Sequence, residues 1–427
     1  MLKEQDPMIE LIREWIMSPV DESAGLHLSV LEVFQVVEEM IAEHVTSPEN
    51  SRLKKYLPKV KKIFLPLELT RAVHEYDART HFLARKRVPP TFKEVRHILN
   101  LATINAIAAH LKLVTFDADD TIYEDGGTIS ANSGMVSIIV QLLQRGLVVS
   151  LVTAAGYPNG AAKYEQRLRG ILEGLEPLTT EERARFLVMG GECNYLFGTH
   201  THPDTGKVSL RAIDGKLWKD GRGVRWQQED ITTMLDLAEK TLRETTQALQ
   251  MPIEIMRKER AVGILNPSTT KRFSYENLEE ICLTVQHALK DCTVPHCAFN
   301  GGNDVWVDVG NKALGIQALQ KFVFRFLPNE LSGGSEELSI IEGMECLHVG
   351  DRFTRTGNDT RSRDAATTVW ISDPRETVYI MKKLIKAIDR SRGTALPASV
   401  LDQHEATVEA AIKAGTKDSI NVMDAAQ

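Results

Sequence analysis

Two aspartates two residues apart, Asp117 and Asp119, follow the apolar run Leu111-Lys112-Leu113-Val114-Thr115-Phe116 and precede Thr121. A strand of Leu, Val and Phe is readily buried between helices, whereas carboxylates at its tip are unfavourable unless something cationic receives them. A magnesium ion and a substrate phosphate would do so: one carboxylate can attack phosphorus while its neighbour carries a proton. Hydrolysis of a phosphate monoester needs an in-line nucleophile, neutralisation of charge around phosphorus and a proton for the departing alkoxide. In this reading Asp117 is the nucleophile, and Asp119 is the general acid and afterwards the base.

Three further groups stand at the ends of predicted strands. Thr153 closes Leu147-Val148-Val149-Ser150-Leu151-Val152 and can donate a hydrogen bond to a phosphoryl oxygen. Lys312 follows the run 304–309 and opens Ala313-Leu314-Gly315-Ile316; its ammonium would offset phosphate charge and keep Asp117 ionised. Asp351 tips the run 345–350 and would ligate magnesium beside Asp117, with Asp359 close behind as a ligand or through water. Singly, each has an ordinary counterpart: a strand-end turn threonine, an exposed lysine at a helix start, a pair of Asx-turn acids. The order D-x-D-x-T, strand-Thr, Lys, G-D…N-D has none. Such tips converge along the carboxyl edge of an open parallel sheet, where ligands bind.

The elements that must position these groups are of two textures. Residues 1–110 read as all-helical, with apolar spacing in Met8-Ile9-Glu10-Leu11-Ile12 and a capping box from Thr91 to Glu94, and form a packing, oligomerisation or regulatory module. From 111 strands and helices alternate, which predicts an α/β fold with a parallel-sheet core built from 111–156 and 296–400. Between 157 and 295 the rhythm is mixed and reads as an inserted α+β cap. Residues 329–337 read as a polar loop and 401–427 as a C-terminal tail.

A net charge of −7 argues against a partner built of nucleic-acid backbone. No apolar run approaches the ~20 residues that span a bilayer. The five cysteines lack C-x-x-C spacing, and with no signal peptide the expected setting is reducing and cytoplasmic. Cys292, His296 and Cys297 have no second ligand pair nearby, so buried thiols are the better reading than zinc. His200-Thr201-His202 precedes Pro203-Asp204-Thr205-Gly206 and reads as a hairpin tip. The run Arg257-Lys258-Glu259-Arg260 reads as a solvated face, and Trp306 as a core residue or a substrate platform.

The segments Phe116–Tyr123, Leu151–Tyr157, Trp306–Ile316 and Val349–Phe353 together resemble the IMP-specific 5'-nucleotidases, a family of the haloacid-dehalogenase superfamily, and the likeness runs over nearly the whole chain. The resemblance implies a HAD-like core, magnesium-dependent hydrolysis of inosine 5'-monophosphate to inosine and phosphate, ATP as an allosteric activator, and a homotetramer. It implies magnesium held by Asp117, the backbone carbonyl of Asp119, and Asp351, and substrate contacts from Asp119, Asp125, Thr153, Ala154 and Lys312. Asp125 makes sense as an acceptor for a sugar hydroxyl, and Trp306 as a stacking surface for the base. His97, in the helical leader, is the candidate ATP contact. Two alternatives stand beside this reading: a sugar-phosphate phosphatase or phosphomutase of the same superfamily, and a nucleotide sensor with vestigial activity.

Overall fold

The computed structural model describes residues 5–17, 28–157, 160–219, 226–268, 270–326 and 340–393. The loop expected at 329–337 and the tail 401–427 lie outside the described residues. Among the described residues eleven strands form two sheets: β1 (Leu113–Phe116), β2 (Val148–Val152), β3 (Phe186–Gly190), β4 (Tyr195–Thr201), β5 (Val208–Ala212), β6 (Glu254–Arg257), β7 (Ala261–Leu265), β8 (His296–Asn300), β9 (Val305–Val309), β10 (Cys346–Gly350) and β11 (Thr367–Trp370). The main sheet has the order β11-β10-β1-β2-β3-β4-β5. Its first five strands are parallel, and β4 and β5 extend it antiparallel.

The apolar runs that predicted buried strands are wholly buried because helices cover both faces. Val114, Phe116, Val149, Leu151, Leu347 and Val349 point into one core, while Leu113, Val148, Val152 and Cys346 point into another against Ile316, Leu319 and Val323 of helix Lys312–Phe326. This alternation is the strand period of two.

The helical leader shares the first of these cores. Ile9, Val33, Phe34, Val73 and Ile98 belong to the same buried cluster as Phe116. Helix Phe92–Ile107 begins with the expected box: Thr91 Oγ1 accepts from the Glu94 amide at 3.2 Å, and the Glu94 carboxylate accepts from the Thr91 amide at 2.8 Å. Farther along, Asn100 clamps the outermost strand, donating to the Trp370 carbonyl at 2.7 Å and accepting from its amide at 3.2 Å. That pair satisfies backbone groups that an edge strand otherwise leaves open.

The second sheet, β6-β7-β9-β8, is antiparallel throughout. Val262, Ile264, Val305, Val307 and Val309 bury one of its faces against helices Gln228–Ala248 and Tyr275–Ala288. The expected boundaries at 157 and 295 do not fall where the chain changes sheet. Strands β3–β5 continue the main sheet, and β8 and β9, read as core, close the second one. The sequence V-W-V-D-V of β9 carries the physical reason: its alternation suits a strand with one buried face, and local pattern does not name the sheet that supplies its partners. Among the described residues no helix is long and apolar enough to cross a membrane.

Candidate active site

Strands β10, β1 and β2 lie side by side and parallel, so their carboxyl ends bring Asp351, Asp117 and Thr153 to one edge. Sheet-type hydrogen bonds run on past the strand ends: the Asp117 amide donates to the Val349 carbonyl at 2.9 Å and the Thr153 amide to the Met189 carbonyl at 3.0 Å. The backbone of both residues is therefore as fixed as the strands themselves.

Lys312, wholly buried at the start of its helix, places its ammonium 2.7 Å from Asp117 Oδ2 and 2.5 Å from Asp359 Oδ1. Asp117 Oδ1 accepts from the Ala118 amide at 2.7 Å. Asp359 Oδ1 also receives His348 Nε2 at 2.9 Å, and its Oδ2 the Arg352 amide at 2.9 Å. Gly350 makes room for this: a Cβ there would overlap the Asp359 carboxyl. Asp351 accepts from the Thr121 hydroxyl at 3.3 Å and lies 3.4 Å from Arg352 Nε. Carboxylate oxygens of Asp117, Asp351 and Asp359 all lie within 4.8 Å of one another. Three hard oxygen donors so close repel each other unless a cation joins them, and they match the ligand preference of magnesium.

The electrostatics follow from burial. Burial pushes the Asp117 carboxyl up to about 7 against the opposing pull of Lys312. Burial also drives Asp351 well above the carboxylate range; Arg352 opposes this, and the charges of Asp117 and Asp359 add to it. Asp359 goes the other way, since Lys312 and His348 outweigh its burial and hold it below the usual range. Burial lowers His348, keeping its ring neutral. A neutral ring that donates from Nε2 to Asp359 must accept at Nδ1, and the Thr115 hydroxyl stands 2.9 Å away to supply that bond.

The loop after β1 carries the more open acids. Asp119 accepts from the Gly126 amide at 3.0 Å and pairs with Arg167 at 3.2 Å. Asp120, in the left-handed region at φ 55°, accepts from the Asp125 amide at 3.1 Å and meets Arg352 at 3.3 Å. Asp125 lies beside them with its side chain largely open; partial desolvation of its carboxyl, together with the charges of Asp119 and Asp120, pushes it above the usual range. Thr153 Oγ1 accepts from the Ala155 amide at 3.1 Å, which leaves its proton to donate, and Ala154 lies between the two.

A family model described as IMP-specific 5'-nucleotidase matches residues 17–381. The chain belongs to the IMP-specific 5'-nucleotidase family. Relatives of the family named IMP-specific 5'-nucleotidase 1 include one from Yarrowia lipolytica, 38% identical over an alignment of 378 positions that covers 84% of this chain and 85% of that protein. One from Plasmodium falciparum is 33% identical and covers 90% of this chain and 84% of its own. Among solved structures of the family, the IMP-bound form of a P. falciparum IMP-nucleotidase mutant aligns with a TM-score of 0.78 at 32% identity, over 90% of this chain and 95% of that one. The ATP-bound form of the same parasite's enzyme aligns with a TM-score of 0.73 over 90% and 86%.

Not every residue singled out in the sequence joins the acidic cluster. Trp306 lies on the open face of β9, where its indole Nε1 donates to Asp304 at 3.0 Å. His97 sits elsewhere, its ring 5.4 Å from those of Tyr76 and Tyr379 and its Nδ1 3.8 Å from Glu376. His200 and His202 occupy the β4–β5 hairpin as expected. The five cysteines are free thiols. Sequence reasoning gave no role to Arg167, His348, Asp120 or Glu192. Glu192, two residues past β3 and wholly buried at φ 64°, accepts from Asn358 at 3.2 Å through one oxygen, while the other has no partner among the described residues. Burial raises its carboxyl well above the usual range against the pull of Lys312. A histidine inside the apolar run Cys346-Leu347-His348-Val349 was the legible signal; nothing local marked Glu192.

Proposed function

We propose that the chain hydrolyses inosine 5'-monophosphate to inosine and phosphate through an aspartyl-phosphate, with magnesium as cofactor and ATP as allosteric activator. One observation carries the reading: Asp117, Asp351, Asp359 and Lys312, from three distant stretches of chain, meet within ion-pair and ligand distance at the carboxyl edge of the main sheet. Family membership supplies the substrate, and the IMP-bound and ATP-bound relatives support both nucleotides.

Asp117 attacks phosphorus, the bond to O5' breaks, and Asp119 delivers its proton to the departing inosine alkoxide. Asp119 then accepts a proton from the water that attacks the phospho-aspartate, and phosphate leaves with Asp117 restored. Thr153 and the backbone at Ala154 hold the phosphoryl oxygens, Lys312 offsets their charge, and Asp125 accepts from a ribose hydroxyl. Magnesium, when bound, neutralises charge on the transferring group. Asp117, the Asp119 carbonyl and Asp351 would hold it directly. Asp359 would act through water, since its Oδ1 already serves Lys312 and His348.

In this reading the main sheet is a HAD-like core, the second-sheet unit at 226–309 is the cap, and Trp306 faces the base. The leader carries the ATP site at His97, the assembly is a homotetramer, and the enzyme is cytoplasmic. The test is phosphate release from IMP, GMP, AMP and glucose 6-phosphate, each with magnesium or chelator and with or without ATP. Preference for IMP, loss on chelation and stimulation by ATP are the expected results. Faster release from the hexose phosphate, or isomerised sugar phosphate as product, would overturn the substrate assignment.

A further inference from the structure

The run 257–260 does not form the uniformly solvated face its composition suggests. Arg257 does pair at the surface with Asp236 at 2.8 Å and Glu239 at 3.2 Å. Lys258, at the start of the β6–β7 turn with its amide bonded to the Ala261 carbonyl at 2.8 Å, turns inward. Its ammonium lies over the Trp306 ring, 4.3 Å from the centroid, and 5.9 Å from that of Tyr157. It has no hydrogen-bond or ion-pair partner among the described residues. Burial lowers this lysine, Asp308 and Asp304 pull it back up, and Lys163 opposes them.

These groups stand close to the acidic cluster. Tyr157 follows the tip of β2, four residues beyond Thr153. Asp304, just before β9, and Trp306 and Asp308 on it alternate on the face away from its valine core. Gly263, opposite Trp306 in the β7–β9 ladder, leaves the hollow in which the indole lies, and a Cβ there would meet the ring at 2.5 Å. Asp304 feels the charges of Asp125 and Asp119, and Asp308 those of both Lys258 and Lys312. This face of the second sheet thus turns towards the strand tips, with a half-buried cation whose direct contacts are aromatic faces and on which Asp308 and Asp304 act from farther off. Such contacts are weaker than a charge-assisted hydrogen bond to a carbonyl oxygen.

We infer that Lys258 is a specificity-determining residue, donating to the 6-oxo and N7 acceptors of a purine that enters between Tyr157 and Trp306. This deepens the proposed function and rests on it. A 6-oxopurine presents two adjacent acceptors on that edge, whereas adenine presents N7 beside an amino donor that an ammonium repels. The 2-amino group of guanine lies on the other edge, so Lys258 separates oxo from amino purines and leaves inosine and guanosine alike.

The experiment measures kcat/KM of the full-length wild type, K258M and K258R on IMP, GMP, AMP and ribose 5-phosphate. Relative to ribose 5-phosphate in the same preparation, K258M should lose roughly 10- to 100-fold on IMP and on GMP, the range of one charged hydrogen bond, and little on AMP. K258R should retain most of the preference. A wild-type preference for IMP over ribose 5-phosphate that K258M keeps, or an equal fall on all four substrates, overturns the Lys258 assignment alone. A wild type without that preference overturns the substrate reading and this one together.

Discussion

Lys312, itself wholly buried, carries a single positive charge between Asp117 and Asp359. Removing one member of a buried ion pair leaves its partner uncompensated, at a cost of about 3–5 kcal/mol. K312M should therefore melt well below wild type without metal, and added magnesium, which binds the folded state, should recover part of the loss. Thermal denaturation with and without magnesium reads both effects; an unchanged midpoint in chelator would contradict the pairing. The acids at the strand tips were legible because charge after an apolar run has few structural uses. Their partners were not. His348 meets Asp359 eleven residues away, and Arg167 meets Asp119 forty-eight away, through contacts that exist only once the sheet has formed.

Helix Phe92–Ile107 is fastened to helix Pro374–Ser391 by a buried ion pair, Arg96 to Glu376 at 2.6 Å. Glu376 also accepts from the Ser372 amide and hydroxyl, both at 2.7 Å. Although burial pushes the Glu376 carboxyl up, His97, Arg96 and Ser372 outweigh it and hold it at about 2, against 4.5 in an unfolded chain. A carboxyl depressed by folding contributes fully above its unfolded value, and that contribution fades as pH falls from about 4.5 towards 2. E376Q should lower stability at neutral pH by about 3–5 kcal/mol and flatten the loss of stability in that acid window. Equal acid sensitivity in the two proteins, followed by denaturant unfolding, would contradict the assignment. At this scale the sequence was partly legible: the Thr91 capping box is local and reads directly, while the choice of sheet for β9 depends on β7 and β8, which local periodicity cannot name.

Across the whole molecule the leader and the parallel sheet share one core, so the leader is not a detachable module. Cutting before Lys59 would strip Ile9, Ile12, Val33, Phe34 and Val37 from the buried cluster that also contains the sheet's apolar residues. A point substitution at His97 is the cleaner probe of ATP control for that reason. The second sheet has its own core and shows the main sheet an open face, tied across by Arg352, which donates to the Asn300 carbonyl at 2.8 Å and meets Asp120 and Asp351. Asp117 gains its chemical setting only when β10, β1, helix Lys312–Phe326 and this tie are all in place. Turnover of IMP labelled with radioactive phosphorus, quenched in acid and mapped by peptide, tests that assembly most directly. The label should appear on the peptide carrying Asp117, require magnesium, and vanish in D117N along with phosphate release. Steady phosphate release from IMP with no label on that peptide, or near-normal release by D117N, would contradict the account.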